Sequence, residues 1–199
     1  MATSTTVSTD AVPEPHSLEE WMLSPPKSTE WVDGKLVYKH SIEWEDGQRV
    51  ETGKMTLKHS RIQSNLSFYW RSYKDSSGQG GEVYTEVPCR TNKQGRSPDV
   101  AYLTSELLVQ FGEPDVLPQS FPLCAEIVSP TDLAEQVIAK AQEYLQSGGK
   151  EVWLIFPENR WVIVVTPHQR LVFASGEVVH TQTVLEGFRV AVDELLAGQ

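Results

Sequence analysis

Two carboxylates stand in this chain where carboxylates are costly. Leu123 to Val128 (LCAEIV) is a near-continuous apolar run of the kind that forms a strand buried on both faces, and it contains Glu126. Ser97 to Leu103 (SPDVAYL) repeats the oddity, with Asp99 heading an apolar strand directly after Pro98. A buried carboxylate must be protonated, paired with a cation or bound to a metal, because leaving it unpaired costs several kcal/mol. If the two strands are neighbours, the carboxyl groups fall within about 5 Å of each other, near enough to share one ion. They would then repel unless a divalent cation neutralised them, and hard oxygen ligands suit Mg²⁺ or Mn²⁺.

Lys140 is the third residue of interest. At about 100° per residue, Leu133, Val137, Ala141 and Tyr144 fall within roughly 80° of one another, and Lys140 lies on the edge of that face, about 20° from Leu133. Glu135, Gln136, Gln142, Glu143 and Gln146 occupy the opposite arc, so a lysine wanted only for solubility had better places to sit. From the apolar face it can extend towards Asp99 and Glu126, and a lysine beside a metal-bound water can orient that water or stabilise charge on a phosphate oxygen. Each residue also has a structural reading. Asp99 could accept backbone hydrogen bonds at the start of its strand, and Glu126 with Lys140 could be a buried ion pair without chemistry. His59 lies on an apolar helix face, where a hydrogen-bonded core histidine competes with a base or ligand. Tyr144, one turn after Lys140, reads as core packing with its hydroxyl near the site.

The elements that must position these side chains are legible in outline. Residues 1–16 are rich in Ser, Thr and Pro and read as a disordered arm; residues 17–199 read as one domain. Ser17 and Glu20 have capping-box spacing before a short helix that Pro25-Pro26 ends. Trp31 to Val37 reads as a hairpin around Asp33-Gly34, with a second turn at Asp46-Gly47. Met55, His59, Ile62, Leu66, Tyr69, Trp70 and Tyr73 recur at helical steps, and the Gly-rich run from Ser76 to Gly81 closes that helix. That run lacks the GK[ST] of a phosphate loop. Strands are predicted at 83–88, 99–103, 123–128, 152–156, 161–166 and 171–174, with a long acidic loop before Leu123. Thr131 or Asp132 is the expected cap of the helix carrying Lys140, which Gly148-Gly149 stop.

The bulk numbers restrict the function. The 199 residues are 39% hydrophobic, enough for a real core, and the net charge of −10 excludes a protein coated in Lys and Arg. Any basic surface must be local; Lys58, Arg61, Arg90, Lys93 and Arg96 are the candidates for a rim around the site. Cys89 and Cys124 form no CxxC pair, so neither zinc nor a disulfide framework is expected. With no apolar run of about 20 residues and no signal-peptide pattern, a cytoplasmic protein without a membrane span is expected.

Taken together, Ser97-Pro98-Asp99-Val100, Glu126-Ile127-Val128-Ser129-Pro130, Lys140 with Tyr144, and Glu151-Val152-Trp153-Leu154 resemble the Uma family of restriction endonucleases, of the PD-(D/E)XK nuclease superfamily. The resemblance extends to Thr29-Glu30-Trp31-Val32-Asp33-Gly34, to His59 and to Gly187-Phe188-Arg189-Val190. It implies a restriction-endonuclease-like α/β sandwich, with a central mixed sheet flanked by helices, and Mg²⁺-dependent hydrolysis of phosphodiester bonds in DNA. Asp99 and Glu126 would bind the metal, with Mn²⁺ able to substitute, and Lys140 would be the signature lysine. Glu30 either supports the metal site through a water or simply flanks a strand, and enzymes of this type often dimerise to cut both strands. The chain departs from the pattern at Val128, where the superfamily normally has lysine, and at Phe156, where the family commonly has aspartate. From another class, the competing expectation is a non-catalytic nuclease-fold module that binds nucleic acid or a protein and keeps the carboxylates as relics.

Overall fold

The computed structural model describes residues 14–39, 41–45, 48–52 and 56–197. In chain order the elements are helix α1 (Leu18–Leu23), strands β1 (Thr29–Val32), β2 (Lys35–Tyr38), β3 (Ser41–Glu45) and β4 (Gln48–Thr52), and helix α2 (Leu57–Ser77). Strands β5 (Glu82–Thr85), β6 (Cys89–Arg90), β7 (Gly95–Arg96) and β8 (Val100–Leu103) follow, then α3 (Ser105–Phe111), β9 (Leu123–Ile127) and α4 (Ala134–Gln146). The chain continues with β10 (Glu151–Phe156), β11 (Trp161–Val165), β12 (Arg170–Ala174), β13 (Val178–His180), β14 (Arg189–Ala191) and α5 (Val192–Leu196).

Local chemistry accounts for many of these boundaries. The Ser17 hydroxyl accepts the Glu20 amide at 3.1 Å and caps α1, while the Glu20 carboxylate accepts from the His16 amide. Asp33 and Gly34 both take positive φ, 49° and 76°, the two-residue turn that matches strand twist in a hairpin, and Val32 pairs with Lys35 across it. The turn expected at Asp46-Gly47 lies outside the described residues, although β3 and β4 on either side of it pair antiparallel. Most of the expected arm at 1–16 lies outside them too. Thr56 caps α2 by accepting the His59 amide, and Gly78 ends it in the left-handed conformation at φ 71°.

Six strands form the central sheet in the order β12-β11-β10-β9-β8-β5. The sheet is mixed: β9 and β10 run parallel, joined by α4, and the other neighbours are antiparallel. On one face Ile62, Leu66 and Trp70 of α2 pack with Val100, Leu123, Ala125 and Trp153, and α5 joins them through Leu195. On the other face Val137, Ala141 and Tyr144 of α4 cover Ala101, Cys124, Val152 and Leu154. A smaller sheet, β2-β1-β7-β6, carries α1, whose buried Trp21 packs with Trp31.

Several expectations are corrected. The long acidic loop contains α3, none of whose residues is buried, so its apolar pattern is short and weak. Neither Thr131 nor Asp132 caps α4: the Asp132 carboxylate accepts the Ser129 amide at 2.7 Å, and Leu133, without a side-chain cap, stands at the helix start. Leu133 is 61% exposed and does not belong to the buried face assigned to it. The segments β6, β7, β13, β14 and α5 were too short to leave a periodic signal. No helix of the described residues is long and apolar enough to cross a membrane.

Candidate active site

Antiparallel pairing of β8 with β9 sets Val100 opposite Ala125, so one step outward the register brings Asp99 beside Glu126. Residues directly opposite in a sheet point to the same face. Both side chains line a cleft of about 650 Å³, which Glu30, Lys39, His59, Arg96 and Lys140 also line. The size suits a small-molecule or nucleotide-sized group.

Asp99 is buried and its two oxygens have different partners. Oδ2 accepts the Ile127 amide at 2.7 Å and faces His59 Nε2 at 3.2 Å. Because an ionised carboxylate can only accept, Nε2 carries the hydrogen, and Nδ1 is buried without a partner among the described residues. Oδ1 accepts from Lys39 Nζ at 2.9 Å. Burial pushes the Asp99 carboxyl up, but Lys39, His59 and the Ile127 amide outweigh it and hold the group far below the usual carboxylate range. Burial likewise pulls His59 down, and its hydrogen bond to Asp99 and the Asp99 charge bring it above its ordinary value.

Glu126 finds its partners on α4. Oε1 accepts the Tyr144 hydroxyl at 2.7 Å, and Oε2 accepts from Lys140 Nζ at 3.1 Å. Burial, with the charges of Asp99 and Glu30, overcomes Lys140 and Lys39 and raises the Glu126 carboxyl to about 7. Lys140 also lies 2.8 Å from Glu30 Oε1, and these two carboxylates outweigh its burial and raise the ammonium. Lys140 therefore stays charged.

Glu30, on β1, holds the two sheets together at this point. It accepts the Ser97 amide at 3.1 Å and Arg96 Nη1 at 3.1 Å, and Arg96 in turn is bound by Glu143 of α4 at 2.6 Å. Glu143 and Gln136, assigned above to the arc opposite Lys140, line the cleft with it, because at about 100° per residue they stand only about 60° and 40° from it. Burial raises Glu30, yet Lys140, Arg96 and Lys39 bring its carboxyl down to about 2. Asp99, Glu126, Lys140, Glu30 and His59 thus line one cleft, and Tyr144 stands behind it through its bond to Glu126. Of the five candidates for a basic rim, Arg96 lines the cleft and Lys58 the pocket adjoining it, and both are paired with carboxylates. Arg96 is held by two of them, and Lys58 pairs with Glu158 at 2.8 Å. In a chain of net charge −10 these acids were the nearest counter-ions.

Lys39, Gln63 and Glu86 were not foreseen. Gln63 Nε2 donates to the Asp99 carbonyl at 2.9 Å and to Glu86 Oε1 at 3.0 Å. It left a signal, a polar residue one turn after His59 on the buried stripe of α2. Lys39 and Glu86 left none, since one follows a hairpin strand and the other sits in an irregular segment. Glu86 adopts φ 56°, a conformation that costs a non-glycine residue about 1 kcal/mol.

No group of three His, Cys, Asp or Glu side chains with metal-holding geometry occurs among the described residues. Two hard carboxylates on one cleft instead fit an ion that keeps several waters, which is the habit of Mg²⁺ rather than of caged Zn²⁺ or Ca²⁺.

The architecture places the chain among proteins of nuclease fold. It superposes on the crystal structure of a putative nuclease belonging to DUF820 from Anabaena variabilis with a TM-score of 0.72 and 22% identity, covering 92% of this chain and 98% of that one. Residues 19–193 match the Uma2 family, described as "Putative restriction endonuclease", and the chain belongs to that family. No curated protein matches it significantly.

Proposed function

We propose that this chain is a metal-dependent endonuclease that hydrolyses phosphodiester bonds in DNA, with Asp99 and Glu126 as metal ligands and Lys140 as the catalytic lysine. The observation that carries the reading is the convergence of two buried carboxylates and a charged lysine from three elements on one open cleft. Structural ion pairs need no such opening. The Uma2 description supports the reaction class and the substrate.

Bound at Asp99 and Glu126, Mg²⁺, or Mn²⁺ in its place, would supply Lewis-acid polarisation of the phosphate and a water of lowered pKa. The protein's own residues do the rest. The Ile127 amide and His59 fix the Asp99 carboxylate, and the Tyr144 hydroxyl fixes that of Glu126. Lys140, 17% exposed along its side chain, can turn its ammonium from Glu126 to a phosphate oxygen or a water in the cleft. Glu30 keeps that ammonium at the cleft while it turns. Val128 leaves the usual lysine position apolar, so the cation comes from α4 instead of β9. A homodimer would present two such clefts to a duplex, and the two free buried cysteines suit a reducing compartment such as the cytoplasm.

The test couples binding to reaction. Mn²⁺ at a hundred times its Kd should raise the stability of the wild type by about 2.7 kcal/mol and leave Asp99→Ala unmoved. Supercoiled plasmid should be nicked by the wild type in Mg²⁺ or Mn²⁺ and not by the variant. Equal Mn²⁺ stabilisation of both proteins, with no nicking by either, would leave a non-catalytic module of nuclease fold.

A further inference from the structure

Lys39 is a cation on the metal-binding carboxylate that the proposed chemistry does not use. Its ammonium has three hydrogens, and each has an acceptor: Asp99 Oδ1 at 2.9 Å, Glu86 Oε2 at 2.8 Å and the Ser97 carbonyl at 2.8 Å. The side chain is 10% exposed, and it lines the cleft. Glu86, itself held by Gln63, is its second carboxylate partner. Nothing about this arrangement resembles a surface lysine resting on a neighbour.

The division of labour on Asp99 gives the arrangement its consequence. Oδ2 is taken by the Ile127 amide and by His59, so the oxygen left for a metal is Oδ1. Among the described residues the partner of Oδ1 is Lys39. A divalent ion bound to Oδ1 at about 2.1 Å would lie within about 5 Å of an ammonium that stayed 2.9 Å from the same oxygen. Two cations so close in a cleft walled by protein repel strongly.

Resting on the metal-site reading above, we propose that Lys39 is a resident counter-cation that competes with the divalent ion for Asp99 Oδ1. In the metal-free protein it compensates a buried carboxylate. When metal binds, the ammonium withdraws from Oδ1 with its proton and keeps Glu86 and the Ser97 carbonyl. Metal affinity is thereby set below what the two carboxylates alone would give.

Isothermal titration of the metal-free full chain with Mn²⁺ tests this. Lys39→Met should tighten Mn²⁺ binding by about 10-fold or more, the scale of one charge-assisted hydrogen bond no longer broken on binding. That variant also makes the site more negative by one charge, which would attract any cation. Lys39→Met/Glu86→Gln restores the local net charge, and the tightening should persist in it if the competition is for Oδ1 itself. Lys39→Gln, which keeps a donor for Glu86, serves if the first two fold poorly. An Mn²⁺ affinity unchanged or weakened in the folded variants would overturn the proposal, as would a gain confined to Lys39→Met. Asp99→Asn separates the two readings: if the wild type binds Mn²⁺ and Asp99→Asn does not, the metal site stands even where the Lys39 competition fails. If the wild type binds no Mn²⁺, both fall.

Discussion

Replacing Lys140 by methionine keeps the aliphatic stem that packs along α4 and removes the charge that Glu30 and Glu126 share. If the lysine acts on the phosphate, Lys140→Met should lower the plasmid-nicking rate by about 10²-fold or more while the protein remains folded. If it is only the counter-ion of two buried carboxylates, the loss appears in urea denaturation, roughly 3 kcal/mol or more, with nicking by the folded fraction unchanged. Glu126 supplies a second prediction. Its carboxyl stands at about 7 in the fold against 4.5 in the unfolded chain, so its contribution to metal-free stability is fully present below about pH 4.5 and is lost as pH rises through 7. His59, also raised, acts in the same direction. Asp99 and Glu30 have the opposite sign, and their contribution is lost only as pH falls below the ordinary carboxylate range. Metal-free stability should therefore decline between about pH 5 and 8, and Glu126→Gln should reduce that slope. An identical slope in the variant would mean that Glu126 is ionised throughout.

At the scale of elements, another buried acid shows what a carboxylate looks like when it serves structure alone. Glu151 begins β10, fully buried, and its oxygens accept Trp153 Nε1 at 2.8 Å, the Gln182 amide at 2.7 Å and the Thr183 amide at 2.9 Å. It ties the loop before β14 to the central sheet and does not line the cleft. Glu151→Ala should cost about 3 kcal/mol or more in urea denaturation, because several buried donors lose their acceptor, and leave the Mn²⁺ affinity of the folded protein unchanged. Gly95 does similar work for the smaller sheet. A Cβ there would stand 2.3 Å from the Trp21 ring, so Gly95→Ala must push α1 away from β7. We expect a loss of about 1–3 kcal/mol, seen as a lowered Tm.

For the whole molecule the governing quantity is the net charge of −10. The cleft carries Asp33, Asp132 and Glu143 besides the acids of the site, and its cations are already paired. Among the described residues, a phosphate backbone meets no unpaired cation lining that cleft. DNA binding should then depend on the divalent ion: fluorescence anisotropy with a labelled duplex at about 100 mM salt should show no binding in EDTA and binding when Ca²⁺, which does not support cleavage in many Mg²⁺ enzymes, is added. Equal binding in EDTA would point to a basic surface away from this cleft.

The candidate residues and much of the frame are local properties of the chain. A carboxylate inside an apolar strand is so costly that Glu126 and Asp99 stand out without any structure, and a lysine on the apolar edge of an amphipathic helix does so for the same reason. The Asp33-Gly34 hairpin and the long helix were equally legible, because turn chemistry and a 3.6-residue period are local properties. Who partners whom follows from contacts between remote segments. Lys39 follows a hairpin strand 60 positions before Asp99, and no local pattern could assign it to that carboxylate. Arg96 looked free to meet phosphate until Glu30 and Glu143, from different elements, were found to hold it. Leu133 fitted the helical stripe but falls at the unpacked first turn of α4, where periodicity continues and burial does not. Charge pairing is decided by distances between segments remote in sequence, and those distances exist only once the sheet has brought β1, β8, β9 and α4 to one cleft.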